Sequence, residues 1–184
     1  MPVQTPICDF GKKALPFELK STDNKIISLD DIKDENGTLI MFICNHCPYV
    51  KAITKEIVED CNELKKIGIN SVAICSNDAV NYPEDSFDNM IKFSKDNQFS
   101  FPYLQDETQD IAKAYDAVCT PDFFGYDKDL ELQYRGRLRE LKNFVPVKDG
   151  ESDLLKAMKQ IAETDKGPQD QIPSAGCGIK WKFD

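Results

Sequence analysis

The chain has 184 residues, 41% hydrophobic and 30% charged, the make-up of a single folded domain over residues 1–184 rather than of a disordered or fibrous chain. Its formal net charge is -9 and its basic residues are scattered, which excludes nucleic acid as a partner, since phosphate binding needs clustered Lys and Arg. No stretch reaches the roughly 18 consecutive apolar residues of a membrane-spanning helix, so no membrane partner is expected.

In chain order, Phe17 to Lys20 and Ile26 to Leu29, joined by turn residues, predict a short hairpin. Thr38 to Ile43 is an apolar run too short for a helix, as expected of a strand buried on both faces of a sheet. From Pro48 to Gly68 the residues Val50, Ile53, Ile57, Cys61, Leu64 and Ile67 recur at spacings of three and four, predicting one long helix closed by glycine. Ile69 to Cys75 follows as a second buried strand, so strand, helix and strand imply a parallel right-handed crossover in an α/β fold. A helix over Asp85–Asp96, a strand over Phe101–Leu104 and a helix over Thr108–Tyr115 come next. Asp122 to Tyr126 and Leu130 to Tyr134 flank a turn and predict a second hairpin, whose alternating last strand is expected to be half exposed. Leu154, Leu155, Met158, Ile161 and Ala162 mark a last amphipathic helix, followed from about residue 164 to 184 by a polar tail packed on the domain.

The chemistry concentrates at Cys44-Asn45-His46-Cys47, where the first buried strand runs into the long helix. Unpaired N–H groups and the positive dipole end at a helix start favour thiolate over thiol, so Cys44 is expected to be reactive near neutral pH. Two intervening residues let one turn bring the sulfurs within bonding reach, with Cys44 attacking and Cys47 resolving the mixed disulfide. His46, the only histidine, would further favour the Cys44 thiolate when protonated. A C-x-x-C pair also supplies half a zinc site, but no second such pair and no second histidine exist, so neither metal nor cofactor is expected. Cys61 and Cys75 lie at predicted core positions. Seven cysteines is an odd number for a secreted disulfide framework, and Met1 to Pro6 lack a secretory signal, so a cytoplasmic location is expected.

The C-x-x-C pair, with Thr120-Pro121 before the strand Asp122 to Tyr126, resembles the thioredoxin superfamily. The element order matches that fold with an N-terminal hairpin and a peroxiredoxin-type α-β-α insertion. The resemblance implies a three-layer sandwich on a mixed sheet, and a cis Thr120-Pro121 loop that lies against the cysteine pair and helps hold a substrate's backbone. More closely, Phe42 to Lys51, Phe101 to Leu104, Asp106 to Gln109, Cys119 to Phe124, Tyr134 to Arg137 and Cys177 to Trp181 resemble a bacterial redoxin group of the AhpC/TSA (alkyl hydroperoxide reductase and thiol-specific antioxidant) type.

The function this implies is a thiol-disulfide oxidoreductase acting on protein or small-molecule disulfides, with a thioredoxin- or glutathione-type electron donor. The alternative is a peroxiredoxin-like antioxidant that reduces peroxides at Cys44. Peroxiredoxins place a Thr three residues before the peroxidatic cysteine, whereas Met41 stands at that distance from Cys44. Arg135 and Arg137 are candidates for an arginine that steadies the thiolate, while Cys119 and Cys177 are candidates for a third thiol, the latter on a C-terminal arm. A copper chaperone of the Sco type is a third alternative, although such proteins carry three residues between their cysteines and a distant histidine.

Overall fold

The computed structural model describes residues 2–183. Short β1 (Val3–Gln4) precedes the N-terminal hairpin of β2 (Glu18–Ser21) and β3 (Ile26–Ser28), in which Glu18 lies opposite Ser28. Ser28 then starts α1 (Leu29–Ile32) by accepting from the Asp31 N–H while the Asp31 carboxylate accepts from the Ser28 N–H. Strand β4 (Gly37–Phe42) is buried along its whole length. Because successive side chains point to opposite faces, Leu39 and Met41 enter one core while Ile40 and Phe42 enter the other.

The helix expected over Pro48–Gly68 is broken into α2 (Pro48–Lys51) and α3 (Thr54–Lys66). Val50 O accepts from the Ile53 N–H at 3.0 Å and from the Thr54 hydroxyl at 2.7 Å, so the carbonyl that Thr54 N–H would have used is taken. A side chain inserted into the backbone ladder kinks a helix.

Strand β5 (Ile69–Cys75) pairs parallel with β4 as the crossover requires. The insertion follows: a 3-10 turn at Pro83–Asp85, α4 (Phe87–Asp96) capped by Ser86, β6 (Tyr103–Gln105) and α5 (Asp110–Ala114). Then come β7 (Cys119–Thr120), β8 (Asp122–Tyr126), β9 (Leu132–Tyr134), β10 (Leu141–Lys142), β11 (Val145–Pro146), α6 (Asp153–Thr164) and β12 (Ala175–Gly178).

Seven strands form a mixed sheet in the order β3-β2-β6-β5-β4-β8-β9, with β4–β5 and β5–β6 parallel and the remaining pairs antiparallel. Ile57 and Leu64 of α3 and Leu154, Met158 and Ile161 of α6 pack on one face, and Leu29, Ile32, Ala112 and Tyr115 cover the other, giving three layers. A second sheet, β1-β12-β7, brings the two ends of the chain together beside Thr120.

One expectation about this sheet is corrected. Strand β9 is buried rather than half exposed, because residues distant in sequence cover it. Gly11 and Lys12 bond to both polar groups of Leu132, and Gln171 donates to Gln133 O at 2.9 Å. Gly167 lies so close that a Cβ there would sit 1.8 Å from Gln133 O. Among the described residues no helix is long and apolar enough to cross a membrane.

Candidate active site

The C-x-x-C segment occupies the junction its spacing predicts. Ile43 N–H still pairs with Ile74 O at 3.0 Å, and beyond it the chain leaves the sheet at Cys44, bends through Asn45 and His46, and enters α2. Cys47 is the N-cap residue of α2, with Pro48 at the position where a missing N–H costs nothing. The Thr120-Pro121 bond is cis, as the resemblance implies. Thr120 lies against both sulfurs, its Oγ1 3.5 Å from Cys44 Sγ and its carbonyl accepting from Cys47 Sγ at 3.3 Å.

The electrostatics depart from expectation in one respect. Cys47, not Cys44, caps the helix, so the Val50 N–H favours the Cys47 thiolate. The two thiols interact, and Cys44 keeps the shared proton. That hydrogen bond, burial and the Asp85 charge push Cys44 far above the usual cysteine range, while the bond from Cys44 and contacts from Cys177, Thr120 and Val50 hold Cys47 down at about 4. Both residues are covered, Cys44 at 1% exposure and Cys47 at 0%.

Asp85, which the sequence hid in an acidic run at a helix start, organises the other side of Cys44. Its side chain is fully buried; Oδ1 accepts from Asn45 N–H at 2.8 Å and Oδ2 from Asn77 Nδ2 at 2.8 Å. His46 Nδ1 lies 2.6 Å from the same Oδ2 without a directed hydrogen bond, and its ring stacks on Tyr82. His46 is thus set against Asp85, and a ring nitrogen of it also lies within 4.8 Å of Cys44 Sγ, the sulfur that sequence reasoning aimed it at. Asn45 is fixed by its own side chain, which accepts from Tyr103 OH at 2.7 Å and donates to Glu84 O at 3.1 Å. Ligand atoms of Cys44, His46 and Asp85 lie within 4.8 Å of one another and are the residues that could hold a metal ion here. The Asp85 oxygens are already engaged by Asn45 and Asn77, which blunts them as metal donors.

The remaining candidates divide. Arg135 forms a two-pronged buried ion pair with Asp122, Nε to Oδ1 at 3.2 Å and Nη2 to Oδ2 at 2.9 Å, and lies over the Phe124 ring. Arg137 donates through Nε to Asp153 Oδ2 at 2.7 Å. Both guanidinium groups are thus committed to carboxylates and make no hydrogen bond to Cys44. Cys119 is buried against Pro121 O, and burial pushes its thiol well up. Cys177, half-buried on β12, interacts with Cys47, and burial together with that contact pushes it up to about 11.

Comparison with known proteins gives the family and the fold. Residues 10–135 match the profile of the AhpC/TSA family. The chain belongs to the AhpC/TSA family. Over its whole length this AhpC/TSA protein is 43% identical to an uncharacterized conserved protein from Geobacillus kaustophilus, covering 98% of that chain with a TM-score of 0.95. It is 33% identical to a hypothetical protein from Sinorhizobium meliloti 1021, each chain covered completely, with a TM-score of 0.91. A putative thiol:disulfide interchange protein DsbE from Chlorobium tepidum shares the thioredoxin-like fold at 18% identity and a TM-score of 0.62, over 84% of this chain and 97% of that one. No curated protein matches the chain. Family and fold together make it an AhpC/TSA protein with a thioredoxin-like fold.

Proposed function

We propose that the protein is a thiol-disulfide oxidoreductase in which Cys44 is the attacking and Cys47 the resolving thiol. The observation that carries this reading is that Thr120 touches both sulfurs, its Oγ1 3.5 Å from Cys44 Sγ and its carbonyl 3.3 Å from Cys47 Sγ, at the junction of β4 and α2. Moving the proton from Cys44 to Cys47 puts the thiolate on Cys44 without an external base. Cys44 then attacks a disulfide R–S–S–R′, forming Cys44–S–S–R and releasing R′S⁻, which takes the proton from Cys47. The Cys47 thiolate, favoured at the start of α2, attacks Cys44 Sγ, closes the Cys44–Cys47 disulfide and releases RS⁻. A thioredoxin- or glutathione-type thiol donor resets the pair. Seven cysteines, an odd number without a paired framework, fit a reducing cytoplasm.

Reduction of insulin by dithiothreitol, followed as turbidity, tests the reading. Catalysis is expected to fall at least about a hundredfold in both Cys44→Ser and Cys47→Ser. Variants that match the unaltered protein overturn it. The peroxide-reducing alternative lacks a thiolate-steadying arginine, since Arg135 and Arg137 are committed to Asp122 and Asp153. Stopped-flow mixing with hydrogen peroxide is accordingly expected to show no more than the rate of a free thiol.

A further inference from the structure

Covered thiols need a route by which electrons reach them, and β12 is placed to provide one. It pairs antiparallel with β7, so that Cys177 stands opposite Thr120, the residue that touches both Cys44 and Cys47. The pairing is tight by construction. A Cβ on Gly176 would lie 1.9 Å from Thr120 O and 3.1 Å from Pro121 Cδ, so only glycine permits this approach. On one side Ser174 Oγ donates to Pro121 O at 2.7 Å, and on the other Ile179 N–H donates to Val118 O at 3.2 Å. Farther out, Asn77 accepts from Lys180 N–H, and Gln109 bonds to Lys180 O and Lys182 N–H. The segment flanking Cys177 is bolted down on both sides, and Cys177 packs against the core cluster that holds Cys44 and Cys47.

We propose that Cys177 is a third redox thiol, which receives the disulfide from the Cys44–Cys47 pair by bonding to Cys47 and presents it to an external thiol. Cys177 stands opposite Thr120, whose carbonyl accepts from Cys47 Sγ at 3.3 Å, so Cys47 is the sulfur of the pair placed for Cys177 to share. In the step, the Cys177 thiolate attacks Cys47 Sγ; the Cys47–Cys177 bond forms and the Cys44–Cys47 bond breaks. Cys44 leaves with the electron pair and takes up the proton that Cys177 gave up, so nothing is oxidised or reduced overall. Once Cys47 is part of a disulfide it bears no charge, which leaves burial as the cost of a Cys177 thiolate and Lys180 as the charge that favours it. The oxidising equivalent then sits on Cys177, more open than the covered Cys44 and Cys47. An external thiol of the glutathione class attacks Cys177 Sγ and releases Cys47, and a second such thiol frees Cys177, leaving the protein reduced and the thiol oxidised. Cys44 is meanwhile already reduced.

The relay rests on the oxidoreductase reading, and mapping of disulfides separates the two. Tryptic peptide 34–51 carries Cys44 and Cys47, and peptide 167–180 carries Cys177. After oxidation by diamide and trapping with N-ethylmaleimide, the unaltered protein is expected to yield an internal disulfide in 34–51 together with a species joining 34–51 to 167–180. Cys44→Ser is expected to yield the joined species alone. Cys177→Ser is expected to form only the internal disulfide, and its reduction by glutathione is expected to be at least about tenfold slower, because the intramolecular step is lost. The relay is overturned if Cys177 is recovered free in both the unaltered protein and Cys44→Ser, or if Cys177→Ser is reduced at the unaltered rate. If the internal disulfide itself never forms, the oxidoreductase reading fails and the relay falls with it.

Discussion

Cys61 and Cys75 are buried as deeply as Cys44 and Cys47, and the difference between the two pairs lies in what surrounds each sulfur. Burial pushes both Cys61 and Cys75 up to about 12; Ser71 offsets this weakly at the first, and the Asp85 charge adds to it at the second. They are small apolar side chains for practical purposes. Cys44 and Cys47 suffer the same loss of water but have each other, Thr120 and the first turn of α2. Desolvation alone silences a thiol, whereas a neighbouring sulfur that can hold the proton lets one of the two carry a charge.

The sharpest way to break this contrast is Gly176→Ala. The new methyl meets backbone atoms that cannot yield, so β12 must lift away and uncover the pair. Iodoacetamide labelling of Cys47 is expected to quicken at least about tenfold while Cys61 and Cys75 stay unlabelled, since local opening reaches only the segment displaced. Equal quickening at all four cysteines would mean general loosening and would erase the distinction.

A smaller effect, of several degrees, is expected in the pH dependence of melting. The folded value of about 4 for Cys47 lies below the unfolded value of about 8.5, so its contribution to stability is fully present above about 8.5 and is lost as pH falls toward about 4. Cys44 is shifted the other way, so its contribution is present below about 8.5 and is lost as pH rises further. The disulfide form has neither titration. The melting temperature of the reduced protein minus that of the oxidised protein, measured by calorimetry, is therefore expected to rise from about pH 4 to about pH 8.5 and to fall beyond it. A flat difference would place both sulfurs with the silent pair.

The smallest effect is expected from Cys75→Ala, which removes a core sulfur on β5, the parallel neighbour of the strand that leads into Cys44. Stability is expected to drop by about 1 kcal/mol in urea unfolding, with insulin reduction unchanged within about twofold. A loss of catalysis comparable with that of Cys44→Ser would move Cys75 into the machinery.

Much of this was legible in the residues. The unbroken apolar run ending in Cys44 and the three-and-four spacing after Pro48 carried the strand-to-helix junction, because both signals are local. The break in that helix was not, since it depends on which carbonyl the Thr54 hydroxyl chooses. Asp85 was hidden for a different reason: in sequence it is one acidic residue beside a serine cap, and only the folded insertion carries it to Cys44. The glycines around Cys177 pointed toward a pliable arm, yet at Gly176 the missing side chain serves close contact. Burial of β9 was equally out of reach, because its cover comes from residues 11–14 and 167–171.

The pairing of β1 with β12, Val3 opposite Gly176, has a consequence for biosynthesis. A growing chain emerges at about 5–20 residues per second, so β1 is made well before the strand it pairs with. Until residues 175–178 have been made, Thr120 and the two cysteines it touches lack the strand that pairs beside them.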